Sequence, residues 1–220
     1  MSDHQQPYVH ALRYPWLTRF YDAVVRATLP ERSLKGLLCE QVVADLPPGG
    51  AVLDLGCGTG TLTLLLKERL SGGTVTGLDG DPDILDRARA KAAEAGLDVN
   101  WLKGDATAPP FEPATFDRVA SSLLFHHLPP TGKRTALASV RTLLKPGGRL
   151  HLLDWGRPHG PVMRLAFVPV QLLDGFATTQ ENVRGLLPAL MKEAGFVDVA
   201  EVARRRTMFG TLSVYQGSAE

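Results

Sequence analysis

The chain has 220 residues, of which 44% are hydrophobic and 21% charged, a balance typical of folded globular proteins that excludes disorder. That length suits one domain with a full hydrophobic core and falls short of two ordinary domains. Lys and Arg total 24 against 23 Asp and Glu, a formal charge of +1, so there is no broad field to gather phosphate backbones and nucleic acid is not an expected partner.

The polar start, Met1 to Pro7, carries no apolar signal-peptide core, and no stretch reaches ~18 apolar residues, so no membrane-spanning segment is expected. Cys39 and Cys57 lack the spacing of a zinc site or a disulfide framework, which predicts a reducing, cytoplasmic setting and no metal. The run Arg204-Arg205-Arg206 reads as the solvated end of a strand or an anion contact.

Two amphipathic segments, about Tyr14 to Ala27 and Ser33 to Asp45, open the chain and stop at Pro47-Pro48-Gly49-Gly50. The apolar run Ala51 to Leu55 predicts a strand, and Thr61 to Leu70, with Leu62, Leu65 and Leu66 at helical spacing, predicts a helix after a glycine turn. The same unit recurs as a strand over Thr74 to Leu78, a helix over Pro82 to Ala95 closed by Gly96, and a strand over Val99 to Leu102. Phe116 to Ala120 predicts a fourth strand. Gly132 to Leu144 predicts a helix broken by Lys145-Pro146-Gly147-Gly148, and Arg149 to Leu153 a fifth strand. Strands alternating with helices imply a parallel sheet covered on both faces. Val197 to Arg205 and Thr211 to Gln216 are joined only by Thr207 to Gly210, which predicts a hairpin and an antiparallel strand at the sheet's edge.

The chemistry concentrates at strand ends. In Val52-Leu53-Asp54-Leu55-Gly56-Cys57-Gly58-Thr59-Gly60 an apolar strand enters three alternate glycines and then a helix, where glycines permit positive φ and the helix N-terminus offers unpaired N–H groups. The spacing is GxGxG, with Thr61 where a dinucleotide site carries its last glycine. Asp79 ends the second strand and can accept two hydrogen bonds from a ribose diol, while Asp81 suits the cap of the helix starting at Pro82. Asp105 follows the third strand, as an adenine contact or as a solvated loop residue.

VLDLGCGTG, GLDGDPDIL, GDATAPPF, FDRVASSLLFHHL and LLKPGGRLHLLD, in this order, resemble the class I S-adenosylmethionine-dependent methyltransferases over about Ala51 to Asp154. The pattern is most similar to the small-molecule branch that includes quinone-biosynthesis enzymes. The resemblance implies an α/β, Rossmann-like, doubly wound seven-stranded sheet, mostly parallel, with an antiparallel last strand and N-terminal lid helices. The expected layout is one domain over 1–220, with a helical lid (1–46), a cofactor core (47–154), an acceptor-pocket insertion (155–180) and a C-terminal helix and hairpin (181–220).

The resemblance further implies S-adenosyl-L-methionine as cofactor and S-adenosyl-L-homocysteine as its product. Gly56, Gly58 and Gly60 would flank the methionine part, Asp79 the ribose, Asp105 and Ala106 the adenine, and Ser122 and Leu123 the methionyl group. Asp54, Cys57 and Gly80 complete the expected set, and Tyr21 either closes over the cofactor or packs in the core. Ser121-Ser122-Leu123-Leu124 stands where methyltransferases of amide and base nitrogens carry Asn/Asp-Pro-Pro-Tyr/Phe, which argues against those acceptors.

For a phenol or enol acceptor, His126, His127, Asp154 and His159 qualify by position as general bases, with a structural role for the histidines as the alternative; His151 reads as packed within its strand. Trp155 to Thr179 is apolar and broken by Pro158, Pro161 and Pro169, which suits a hydrophobic acceptor pocket, a homodimer interface or ordinary core. The expected reaction is O- or C-methylation of a small hydrophobic or aromatic molecule. Methylation of a small amine or phospholipid head group, or a non-catalytic cofactor-binding module, are the alternatives.

Overall fold

A computed structural model describes residues 31–220 except Ser71. The first expected amphipathic segment, and Tyr21 with it, lie outside the described residues.

The described chain begins with α1 (Glu31–Val43), then alternates β1 (Ala51–Leu55), α2 (Thr61–Arg69), β2 (Thr74–Asp79), α3 (Pro82–Glu94) and β3 (Asn100–Lys103). It continues through β4 (Phe116–Ser122), a 3₁₀ turn (Phe125–His127), α4 (Pro130–Leu143) and β5 (Leu144–Trp155). Four short helices follow, α5 (Pro161–Ala166), α6 (Val168–Asp174), α7 (Phe176–Val183) and α8 (Leu187–Glu193), before the hairpin β6 (Val197–Thr207) and β7 (Gly210–Ser218).

The seven strands form one sheet in the order β3-β2-β1-β4-β5-β7-β6. β1 pairs in parallel with β2 and β4, and β4 with β5. β7 runs antiparallel to both of its neighbours. The hairpin expected from the C-terminal sequence is therefore present, but the reversed strand lies one position inside the edge, because β7 folds back between β5 and β6. The chain order reverses between β1 and β4, and in such sheets a crevice opens beyond the carboxyl ends of the strands at that switch point.

Alternate residues of the central strands serve two cores. Leu53, Leu55, Leu150 and Leu152 pack with Leu137 and Val140 of α4 and Leu190 of α8 on one face. Val52, Leu153 and Trp155 pack with Leu38 of α1, Leu66 of α2 and Phe167 on the other. Each such leucine contributes about 1.5–3 kcal/mol by leaving water, which fixes the strand register and thereby the residues that reach the strand tips. Lys145-Pro146-Gly147-Gly148 does not separate helix from strand as expected: Leu144 already pairs with Phe116, and the ladder absorbs the proline and glycines as an irregularity before resuming at Arg118 and Arg149.

Candidate functional site

Register sets the first half of the site. Leu55 lies opposite Leu78, so the turn leaving β1 meets the tip of β2. The N–H groups of Gly56 and Cys57 both donate to the Leu78 carbonyl, at 2.8 and 3.0 Å. Gly58 N–H then donates to Asp79 Oδ2 at 2.8 Å, while Asp79 Oδ1 accepts from Asp81 N–H at 3.0 Å. Asp79 thus faces the glycine turn and clamps it to β2, with each carboxylate oxygen keeping capacity for another donor. Asp81 caps α3 as expected, accepting from Asp83 and Ile84 N–H.

The three glycines serve different ends. Gly56, Gly58 and Gly60 all have positive φ, at 71°, 54° and 77°. A Cβ on Gly56 would stand 2.9 Å from the Leu124 side chain, and one on Gly60 2.6 Å from the Trp101 ring. Around Gly58, beyond its chain neighbours, no described residue has an atom within 4 Å of that position. Close packing inside the protein explains two of the three glycines; Gly58 keeps an open face among the described residues. Trp101, which the sequence reading did not single out, also lies 2.6 Å from where a Gly77 Cβ would be, so the indole fills the groove left by two glycines.

Below the turn, Asp54 is fully buried. Its Oδ2 accepts from Thr63 Oγ1 at 2.6 Å, and its Oδ1 has no partner among the described residues. Burial pushes its carboxyl up to about 6, against the opposing effects of the Thr63 hydrogen bond and Lys35. Cys57 is a buried thiol pushed far up by burial and by Asp54 and Asp79, which makes it inert as a nucleophile. Gly80 follows Asp79 and Ala106 follows Asp105. Asp105 is exposed, and its Oδ1 accepts from Thr107 N–H and Oγ1, both at 2.8 Å.

The second half lies across the switch point. Ser122 ends β4, and Leu123, with φ 58°, turns the chain away while its N–H bonds to the Leu153 carbonyl. Phe125, His126 and His127 follow in the 3₁₀ turn, which is tied to Asp154 of β5. Asp154 is 1% exposed. Its Oδ2 accepts from Phe125 N–H at 2.8 Å and His126 N–H at 3.3 Å. Its Oδ1 accepts from Trp155 N–H at 2.7 Å and Asn182 Nδ2 at 3.1 Å, and lies 2.8 Å from His126 Nδ1. A carboxylate with both oxygens so engaged orients its neighbours and has little room to meet an acceptor.

His126 is buried, and its other ring nitrogen, Nε2, faces Asp174 Oδ2 at 3.7 Å. Burial disfavours its charge, yet Asp154 and Asp174 outweigh that and hold its pKa above the ordinary value. Burial likewise works against charge on Asp154, but His126 holds its carboxyl below the usual range. His127 packs beside His126 with ring centroids 3.9 Å apart and the planes tilted by 42°, and its Nδ1 lies 3.9 Å from Asp174 Oδ1. Its pKa lies below the ordinary value through packing and the adjacent His126, although 37% of its side chain remains exposed, which limits the desolvation.

Of the other histidines, His151 is buried and driven down to about 3 by desolvation, with Arg118 and Arg149 adding to the effect. His159 is held against β7, its Nδ1 3.0 Å from Thr211 Oγ1. Asp174, Asn182 and the buried Lys133 were not readable as site residues, because their relation to His126 arises only when α4, α6 and α7 pack on the strand ends. A cavity of about 540 Å³ between α1 and α2 is lined by residues such as Gly36, Leu65 and Arg205 and includes none of these strand-tip groups. The strand-tip geometry, with its converging backbone donors and carboxylates, is the better guide to chemistry.

A sheet of this order, with a glycine turn and an acid at adjacent strand tips, defines the Rossmann-like methyltransferase architecture. Residues 52–148 match the family model described as a methyltransferase domain. The chain is 33% identical over 216 residues to an uncharacterised methyltransferase of Synechocystis, covering 94% of this chain and 93% of that protein. It is 35% identical over 184 residues to a demethylmenaquinone methyltransferase of Thermus thermophilus, covering 76% and 81%. A crystal structure of a SAM-dependent methyltransferase from Aquifex aeolicus shares the fold, with a TM-score of 0.64 at 20% identity over 90% of this chain and 98% of the other. The chain belongs to the class I S-adenosylmethionine-dependent methyltransferases, similar to the quinone-biosynthesis enzymes. It is an enzyme of methyl transfer that uses S-adenosylmethionine. Among the described residues, no helix is long and apolar enough to cross a membrane.

Proposed function

We propose that the chain methylates an oxygen or carbon atom of a small hydrophobic, quinol-like or aromatic acceptor, with the cofactor on the glycine-turn rim and the acceptor on the histidine rim. The observation that carries this reading is the pair Gly58 and Asp79: an open backbone face beside a carboxylate already turned toward it. The buried Oδ1 of Asp54, which lacks a partner among the described residues, supports the same placement, since a cationic ammonium is what such an atom would accept from. The name of the Thermus relative supports a quinone-type acceptor. So do Val162, Leu165, Leu172 and Phe176, which expose between 50% and 73% of their surface on the short helices that follow β5.

In this arrangement Asp79 holds the ribose diol, Asp105 and Ala106 border the adenine, and Asp54, Gly56, Cys57, Gly58, Gly60, Gly80, Ser122 and Leu123 shape the rest of the cradle. When bound, the sulfonium supplies an electrophilic methyl group that an aligned nucleophile takes in one displacement, leaving S-adenosylhomocysteine. The protein's task is alignment and exclusion of water, which contributes ~7–11 kcal/mol to lowering such a bimolecular barrier. His127, the exposed member of the pair, takes up the acceptor's hydroxyl proton with His126 supporting it from the buried side, and Asp154 is a positioning residue that fixes the turn carrying them.

The test is methylation of a demethylquinol and of a small amine, followed by mass spectrometry. For the quinol, His127→Ala is expected to reduce kcat about 10²–10⁴-fold while leaving affinity for S-adenosylhomocysteine unchanged. Preferential turnover of the amine, insensitive to His127→Ala, would overturn the assignment of acceptor.

A further inference from the structure

The ring nitrogens of His126 and His127 and the Asp174 carboxylate come from two separate segments, the 3₁₀ turn and the end of α6, yet one ligand atom from each lies within 4.8 Å of the others. His126 Nε2 to Asp174 Oδ2 is 3.7 Å and His127 Nδ1 to Asp174 Oδ1 is 3.9 Å. Both separations are too long for hydrogen bonds. They are close to the spacing of donors that share one ion at ~2.0–2.2 Å from each.

The surroundings match what a ligating histidine needs. His126 presents Nδ1 to Asp154 Oδ1 at 2.8 Å, and Asp154 is itself fixed by the backbone N–H groups of Phe125, His126 and Trp155 and by Asn182. A proton kept on Nδ1 by this carboxylate leaves the Nε2 lone pair for a metal, the carboxylate–histidine–metal relay that sets both tautomer and ring orientation. Asp174 is nearly buried, with 8% of its side chain exposed, while His127 opens to solvent and provides a route of entry.

We propose that His126 Nε2, His127 Nδ1 and Asp174 form a binding site for one divalent transition-metal ion of the zinc type. Two imidazoles and one carboxylate are a donor set for Zn²⁺, Co²⁺, Fe²⁺ or Ni²⁺ rather than for Mg²⁺ or Ca²⁺, which prefer oxygen. Three protein ligands leave a coordination position for water or for an acceptor's oxygen, where the ion would lower the pKa of a bound hydroxyl. That role rests on the acceptor reading above; binding of the ion does not.

The experiment uses the full chain stripped with a chelator and titrated with ZnCl₂ and CoCl₂ without cofactor or acceptor, read by calorimetry, by metal analysis after gel filtration and by the visible absorption of Co²⁺. One equivalent of Zn²⁺ is expected, displacing Co²⁺ whose spectrum reports nitrogen ligation. His127→Ala, an exposed change that leaves the fold intact by circular dichroism, and Asp174→Asn should each weaken binding at least tenfold. Asp154→Asn should weaken it by about 10–100-fold, although it touches none of the proposed coordination positions. Retention of less than a tenth of an equivalent by the wild-type chain, or equal affinity in the folded His127→Ala/Asp174→Asn double variant, would overturn the proposal. Either result leaves the cofactor tests unaffected.

Discussion

The two rims of the sheet's switch point are built from different materials. At the tips of β1 and β2 the framework is backbone: the N–H groups of Gly56, Cys57 and Gly58 are spent on the Leu78 carbonyl and on Asp79. At the tips of β4 and β5 it is side chain, with the Asp154 carboxylate gathering three backbone donors, an imidazole and an amide in a buried cluster. A rim made of backbone tolerates change in most side chains and fails where a Cβ intrudes. A rim made of side chains fails where one charged group is removed. That contrast fits a common cofactor on one side and an acceptor particular to the enzyme on the other.

The contrast is broken most severely at Asp154. Asp154→Ala strands several buried donors and should cost about 3–5 kcal/mol, lowering Tm by roughly 10 °C in calorimetry, with cofactor affinity much less affected. An unchanged Tm would remove the idea that this rim hangs on one carboxylate. On the other rim, Gly58→Val places a branched side chain at φ 54° and fills the open face. It should reduce cofactor affinity about 100-fold, or ~2.7 kcal/mol, for a strain cost to folding of only ~1–2 kcal/mol.

Asp54 sharpens the comparison through pH. Its carboxyl is raised to about 6 from the ordinary 3.8, so the folded chain binds this proton more tightly than the unfolded one. The resulting stability is fully present below pH ~3.8 and is lost as pH rises through about 6, by at most ~3 kcal/mol. The groups acting on it are Thr63 from α2, Lys35 from α1 and Asp79 from β2. Urea unfolding between pH 4 and 7 should show this slope in the wild-type chain and a flatter one in Asp54→Asn; identical slopes would contradict it. The smallest effect is at Gly77→Ala, whose Cβ would meet Trp101 at 2.6 Å. A loss of about 1–3 kcal/mol from overpacking is expected, recovered in a Trp101→Ala background if the indole is its cause.

The strands and the glycine turn were legible in the sequence because their signals are local. Ala51 to Leu55 is an apolar run, Pro82 follows a capping aspartate, and three alternate glycines stand at a strand end. The position of Asp79 as a strand-end carboxylate was legible for the same reason, since it closes the strand-forming run from Thr74 to Leu78. The sequence did not disclose the position of β7 inside the edge, because a hairpin's local pattern is the same whichever of its strands pairs with β5. It likewise showed Lys145-Pro146-Gly147-Gly148 as a break, where pairing with β4 and contacts to Ala219 carry the strand through. The gathering of His126, His127 and Asp174 was hidden for a further reason: it depends on how α6 packs, and nothing within either segment announces the other.

The most direct test of the account is calorimetric titration of S-adenosylhomocysteine into the wild-type chain and into Asp79→Ala. Loss of a charge-assisted contact to the ribose and of the clamp on Gly58 predicts one-to-one binding in the wild type, weakened about 10–100-fold in the variant. Equal affinity in the two proteins would contradict the placement of the cofactor against Gly58 and Asp79.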